Sequence, residues 1–349
     1  MKRHYNFLIV GQGLAGSTLY WFLAKQGKKV CVIDKFNPTS SSRIAAGIIH
    51  PITGRRIVKT WMADTLIPYA DKTYSEIEDH FHQKLFFKKD ILELIHSIKE
   101  QNDWSNKMAS KEMEGYFNQV NLSDLYDDVL IDEPKKIAIT KSGWLNISKM
   151  IDCFRSEIAS QNHLLEEDFD FSSLRLNEQG VSYKEIEADK ILFCEGSKAT
   201  ENPFWKALPF QLSKGELITI RSDKLNIEHI ITKTIFILPL GENLYKVGST
   251  YSWDETDDIP TEKAKESLLN KLKKIIHVPF EVVDHKAAIR PTVKERRPFI
   301  GLHKEHPQVG IFNGLGTKGV LLAPFFANHF AEYLDGTVEL MKEVDVKRF

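Results

Sequence analysis

The chain has 349 residues, enough for two domains of ordinary size or one large one, each with its own core. Hydrophobic residues at 42% and charged residues at 27% are the proportions of a soluble globular protein. With 47 basic and 48 acidic residues the formal net charge is -1, which gives no electrostatic reason to expect nucleic acid or an anionic membrane as main partner. Net charge says nothing of local distribution, so a basic patch stays open.

The three cysteines, Cys31, Cys153 and Cys194, are scattered. They have neither metal-ligand spacing nor the look of a disulfide framework, so no metal is expected and a reducing cytoplasm is the expected location. The start places basic residues before an apolar run, but that run spans only Phe7 to Val10 before glycines interrupt it. It is far too short for a secretory core or a membrane span, and neither targeting nor membrane insertion is expected.

Tyr5 to Val10 reads as a buried strand and Leu14 to Gln26 as a helix stopped by Gly27. Lys29 to Asp34 reads as a second buried strand, completing a strand–helix–strand unit. Trp61 to Phe81 has helical character, and Leu85 to Ser97 reads as one or two strands. Ile147 to Ser160 is an amphipathic helix with Asn146 as a plausible cap. Val181 to Cys194 reads as a strand joining the first sheet. Leu212 to Tyr251 is strand-rich with turn signals, an antiparallel sheet. Thr261 to Ile276 reads as a helix capped by Thr261. Short strands, a glycine-rich turn at Gly314 to Gly319 and a helix from about Val320 to Leu334 close the chain.

Gly11, Gly13 and Gly16 form G-x-G-x-x-G between the first strand and the first helix. There the first glycine allows a tight turn, the second lets backbone approach a pyrophosphate, and the third lets helix and strand pack closely. Amides at the helix start, including those of Leu14 and Ala15, would hold the phosphates. Asp34 ends the second strand, where a carboxylate accepts hydrogen bonds from a ribose diol and disfavours a phosphorylated ribose. A structural glycine turn is the rival reading, and this unit alone does not separate FAD from NAD.

Two later stretches bear on the cofactor: SSSRIAAGIIHP (Ser40 to Pro51), and AAIRPTVKERRPFIG (Ala287 to Gly301) with FNGLGTKGVLLAP (Phe312 to Pro324). Together with the cradle, ILFCEG and KGEL (Lys214 to Leu217), they make the chain resemble, nearly end to end, the D-amino acid oxidase superfamily of flavoenzymes. AAGIIHP is particularly similar to the glycine oxidase branch.

The resemblance implies an α/β fold. A Rossmann-like FAD-binding domain, three-layered around a mostly parallel sheet, comes from residues 1–82, 141–209 and 285–349. A smaller substrate domain on a mixed or antiparallel sheet comes from 83–140 and 210–284. It also implies FAD held non-covalently, with contacts from Gly11, Gly13, Leu14, Ala15, Gly16, Asp34, Lys35, Ser42, Arg43, Ala46, Gly47, Ile49, Cys194, Gly196 and Arg290. Phe169, in a strand-like EEDFDF, would pack near the adenine, with core packing as an equal explanation. Gly314, Leu315, Gly316, Thr317, Lys318 and Gly319 would lie by the flavin's pyrimidine carbonyl, where negative charge develops on reduction. A solvated surface position is the equal alternative for Lys318.

Arg290 matches the arginine that grips the substrate carboxylate in amino acid oxidases, against a structural ion pair with Glu295 as the rival. Tyr251, beside Tyr245 and Trp253, would form an active-site wall, and His50 a polar partner above the ring; core packing competes for both. Glu195 departs from the small or neutral residue the family carries before its glycine. Arg55, Arg56 and Arg296 could line a basic cleft mouth or simply a solvated face.

The implied reaction oxidises the carbon–nitrogen bond of a small carboxylate-bearing amine, an amino acid or secondary amine, by hydride transfer to flavin. The alternatives are oxidation of a modified tRNA uridine, of a 2-hydroxy acid, or a flavin-binding subunit without catalysis. Oligomeric state is not readable.

Overall fold

The computed structural model describes residues 3–53, 56–118, 122, 124–132 and 134–349. The chain divides into two compact units, each assembled from separated segments. The first comprises Met1–Ala45, Ile147–Ser213 and Ile289–Phe349, and the second Ala46–Asn146 and Lys214–Ala288. Interleaving was expected, with the first segment running to residue 82. The first unit instead stops at Ala45, because Ile48–Ile49 immediately pairs with Gly143–Leu145 of the second.

The first unit is built on a parallel sheet. Arg3–Val10 pairs in parallel with Val30–Ile33 on one side and Ile186–Phe193 on the other. Leu164–Leu165 extends it beyond Val30–Ile33, and Val309–Asn313 beyond Ile186–Phe193. Numbered along the chain, the parallel strands lie in the order 3-2-1-4-5. Strand order reverses between Arg3–Val10 and Ile186–Phe193, the switch point at which open α/β sheets bind ligands outside their carboxyl ends. Antiparallel additions complete the sheet: a hairpin of Leu174–Asn177 and Gly180–Tyr183, and Phe299–Leu302 on Val309–Asn313.

The central strands are apolar without alternation because both faces are covered; Val30–Ile33 is buried at every residue. Helix Leu14–Lys25 follows the first strand, and helix Gly319–Leu334 packs against it. Helix Ile147–Ser160 buries Ile147, Met150, Ile151, Phe154 and Ile158, the helical-period stripe that marks it in sequence. Truncating Phe154, fully buried against Tyr20 and Trp21, would cost roughly 3–5 kcal/mol.

The second unit carries an eight-stranded sheet in the order Glu281–Arg290, Ser213–Arg221, Leu244–Gly248, Phe236–Gly241, Ile230–Thr232, Ile91–Ile95, Lys135–Ile139, Phe117–Asn118. It is mixed: Ile230–Thr232 runs parallel to Ile91–Ile95, while the neighbouring pairs are antiparallel. One apolar cluster contains Ile218, Ile220, Ile237, Tyr245 and Val247, and another Ile91, Ile139, Ile230 and Leu238, as period-two alternation requires. Thr261 caps helix Glu262–Leu272, its hydroxyl accepting from the Ala264 N–H at 3.3 Å.

Several sequence expectations need correction. Phe169 does not lie in a strand, for the pairing ends at Leu165. Tyr245 is 4% exposed and belongs to the core rather than to a wall. Helix Ile98–Met108, capped by Ser97, went unread because its single buried residue, Trp104, leaves no apolar stripe. No helix among the described residues is long and apolar enough to cross a membrane.

Candidate cofactor and active site

Three glycine-containing turns of the first unit meet at the carboxyl edge of its sheet. The first, Gly11 to Gly16, leaves Arg3–Val10 and starts helix Leu14–Lys25. The second, Cys194 to Gly196, leaves Ile186–Phe193, and its Cys194 N–H donates to the Val10 carbonyl at 2.8 Å. The third, Gly314 to Gly319, leaves Val309–Asn313 and starts helix Gly319–Leu334. Asn313, 2% exposed, joins the last two by donating from Nδ2 to the Gly196 carbonyl at 2.9 Å.

Sterics explain the glycines of the first turn. Gly11 has φ +97°, and a Cβ there would sit 2.6 Å from the Cys194 carbonyl oxygen. A Cβ on Gly16 would run into the Gly11 carbonyl oxygen, so helix and turn approach to a distance only glycine permits. Gly13 caps the helix without a side-chain bond, and the Leu14 N–H donates to Ser42 Oγ at 3.0 Å. This cradle fits a dinucleotide: close-packed backbone at a switch point, a helix N-terminus aimed outward, and a carboxylate at the end of the second strand. That carboxylate, Asp34, accepts the Gln12 N–H at 2.8 Å.

The other predicted residues fall as follows. Arg43 pairs with Asp152 at 2.7 Å and stacks over Phe36 at 4.5 Å. Lys35 is exposed and pairs with Asp168 at 2.7 Å. Phe169 stacks on Tyr183 at 4.7 Å and meets Phe193 edge-on, inside an aromatic group packed on the core. Cys194 is buried, which drives its thiol far above the usual range and keeps it neutral. Leu315 is buried and Thr317 exposed. Lys318 is pushed down to about 7, first by burial and then by the nearby Arg296. A solvated surface lysine would show no such depression. Arg290 ends strand Glu281–Arg290, and its carbonyl accepts the Thr292 N–H at 2.8 Å. Glu295, the rival partner for Arg290, lies 3.7 Å from Arg348.

Ala46, Gly47, Ile49, His50 and Tyr251 belong to the second unit. A Cβ on Gly47 would run into the Leu145 carbonyl oxygen, a reason for glycine independent of any ligand. His50 Nδ1 accepts the Ile52 N–H at 3.3 Å, and Tyr251 is 57% exposed. Arg55 lies outside the described residues, and Arg56 and Arg296 fall in different units.

Sequence reading missed Gln12, Arg155 and Asn313, which hold the turns together. Gln12 sits between the glycines, at a position whose side chain the motif does not specify, and Arg155 on a helix face; neither residue type in such a place signals function.

The switch-point cradle and its glycine turns define a dinucleotide-dependent enzyme class, and comparison with known proteins specifies it. The FAD dependent oxidoreductase (DAO) family matches residues 6–333, and the chain belongs to that family. It is therefore an FAD-dependent oxidoreductase. It is similar to a glycine oxidase of Bacillus subtilis, 23% identical over 93% of this chain and 91% of that protein. It is also similar to the tRNA 5-methylaminomethyl-2-thiouridine biosynthesis bifunctional protein MnmC of Legionella pneumophila, 24% identical over 84% of this chain. The match spans 45% of that longer protein's length. Among solved structures, glycine oxidase from Bacillus cereus shares the fold with a TM-score of 0.80 and 21% identity over 96% of both chains. Iminodiacetate oxidase from Chelativorans sp. shares it with a TM-score of 0.81 and 18% identity, over 97% of this chain and 98% of that one.

Proposed function

We propose that this chain oxidises the carbon–nitrogen bond of a small carboxylate-bearing amine, an amino acid or secondary amine. The observation that carries the reading is the convergence of the three glycine turns on the switch point, combined with likeness to oxidases of small amino acids. The amides of Ala15 and Gly16 would hold the diphosphate, with Leu14 bound through Ser42 and with Arg43 at its flank, and Asp34 the adenosine ribose. The turn from Gly314 to Gly319 would supply donors to the flavin's pyrimidine edge, with Lys318 a further N–H donor whether or not it is protonated, stabilising the negative charge of reduction.

Arg290 would grip the substrate carboxylate two-pronged, fixing the α-carbon for reaction. Tyr251 and His50 are the candidates for the wall around the amine. Bound FAD would accept the hydride leaving the α-carbon. The substrate amine loses a proton as the imine forms, and water then releases carbonyl product and amine. Reoxidation by oxygen defines an oxidase, by another acceptor a dehydrogenase.

Oxidation of a modified tRNA uridine is a second reading, supported by the likeness to the bifunctional tRNA-modifying proteins. An anaerobic absorption spectrum, recorded while a panel of amino acids, N-methyl amino acids and 2-hydroxy acids is added, separates the readings. Flavin bands that bleach with an amino or N-methyl acid support the proposal. Bleaching by hydroxy acids alone overturns it. A flavoprotein reduced by no small acid moves the substrate to a macromolecule or ends the catalytic reading.

A further inference from the structure

A network of side chains ties the glycine turn and Asp34 to Arg155, a residue outside every motif read in the sequence. Gln12 is 4% exposed, and helix Ile147–Ser160 grips both ends of its amide one turn apart. Gln12 Nε2 donates to the Ile151 carbonyl at 2.9 Å, and its Oε1 accepts from Arg155 Nη1 at 3.0 Å. The same Arg155 nitrogen donates to Asp34 Oδ1 at 2.8 Å, and Nη2 donates to the Asp34 carbonyl at 3.2 Å. Nη2 also meets Glu166 Oε1 at 3.2 Å. The Gln12 N–H closes the ring on Asp34 Oδ2.

We propose that Arg155 is a positioning residue for cofactor binding: with Gln12 it holds the Asp34 carboxylate charged and turned so that one open acceptor site on each oxygen faces the vicinal hydroxyls of the adenosine ribose. The inference rests on the reading that the Gly11 to Gly16 cradle takes the adenosine half of FAD.

Acceptor counting supports it. An ionised carboxylate offers about four lone-pair sites, two on each oxygen. Arg155 fills one on Oδ1 and the Gln12 N–H one on Oδ2. What remains is one site per oxygen, the pattern two adjacent hydroxyls require. Arg155 is itself committed to Asp34, Gln12 and Glu166, so the arrangement receives a diol and offers no spare guanidinium fork to a 2′-phosphate. Charge supports it too. Burial pushes the Asp34 carboxyl upward, while the Gln12 N–H, Arg155 and then Arg43 oppose the rise. Without Arg155 the carboxyl protonates more readily, and one acceptor oxygen becomes a donor. Arg43, from Ser41–Ile44, is already paired with Asp152 and cannot substitute.

The test is the FAD dissociation constant of the full chain, by flavin fluorescence, for wild type, Arg155→Met, Arg155→Lys, Asp34→Asn and the Arg155→Met/Asp34→Asn double variant. Arg155→Met is expected to weaken binding about tenfold, and the double variant to bind within about threefold of the weaker single, because both changes remove one receptor. Arg155→Lys keeps the charge but not the fork, and is expected to retain most of the loss; it also serves as the readout if the methionine variant does not fold. As pH falls, the affinity of Arg155→Met should begin to drop at a higher pH than that of wild type. Multiplicative losses in the double variant, parallel pH profiles, or wild-type affinity in Arg155→Lys would overturn the proposal. A wild-type protein that binds no FAD would instead overturn the cofactor reading beneath it.

Discussion

Lys214 Nζ meets Asp257 Oδ1 at 2.7 Å, with the lysine side chain 1% exposed and the aspartate 58% exposed. Glu255 joins the same ammonium at 2.8 Å. Two positions along the strand, Glu216 is also buried, and its carboxylate accepts the Thr261 N–H at 2.8 Å and the Thr261 hydroxyl at 2.9 Å. Lys214 and Glu216 thus strap both ends of the segment between Ser252 and Thr261, which carries the exposed Trp253 and Ile259. Backbone bonds between Lys214 and Ser252 fix its start. Lys214→Met should loosen this segment by about 1 kcal/mol or more, since the Asp257 carboxylate left behind is largely solvated but Glu255 Oε2 is buried. Limited proteolysis should cut within 253–260 several-fold faster than in wild type, and an unchanged cleavage rate would refute the strap.

Gly16→Ala forces a Cβ into the Gly11 carbonyl, and the obstacle is backbone that cannot rotate away. Overpacking of this kind costs roughly 1–3 kcal/mol, and here it also displaces the cradle from the helix start. The variant should purify with little or no flavin and a lowered Tm. Full flavin content would show that the cradle is not the cofactor site.

Glu195 gives a pH signature. Burial raises its carboxyl to about 7, against a partial opposing effect of Asn202, which donates to Oε2 at 2.7 Å. Between the unfolded value near 4.5 and about 7, the folded protein therefore binds more protons than the unfolded one. Stability from this residue is full below pH 4.5 and is lost as pH rises through 7, by about 3 kcal/mol. Glu195→Gln should remove that loss, so its denaturation midpoint should exceed wild type at pH 8 and converge with it toward pH 5. Parallel curves would mean that the carboxyl is not desolvated in solution.

Arg290→Lys tests the carboxylate clamp. Losing a two-pronged charged contact, worth about 3 kcal/mol, should lower kcat/KM about a hundredfold, chiefly through KM. The flavin spectrum and Tm should hardly move. A fall in kcat alone, with KM intact, would assign Arg290 to another task.

The strand–glycine–helix–strand opening was legible in the sequence because each part has a local cause. Two-sided burial makes Val30–Ile33 uniformly apolar, close approach demands glycine at 16, and helical period marks Ile147–Ser160. The order of motifs along the chain was sufficient to place it among FAD-dependent oxidoreductases. Other features were decided only by tertiary structure, because they join residues far apart in sequence that carry no distinguishing local pattern. Arg155 reaches Asp34 across 121 positions, and Asn313 reaches Gly196 across 117. Tyr245 and Tyr251 look alike as strand aromatics, yet one is 4% and the other 57% exposed. Periodicity reports which side of an element is apolar, whereas what packs there, and which charges meet, depends on how the whole chain closes.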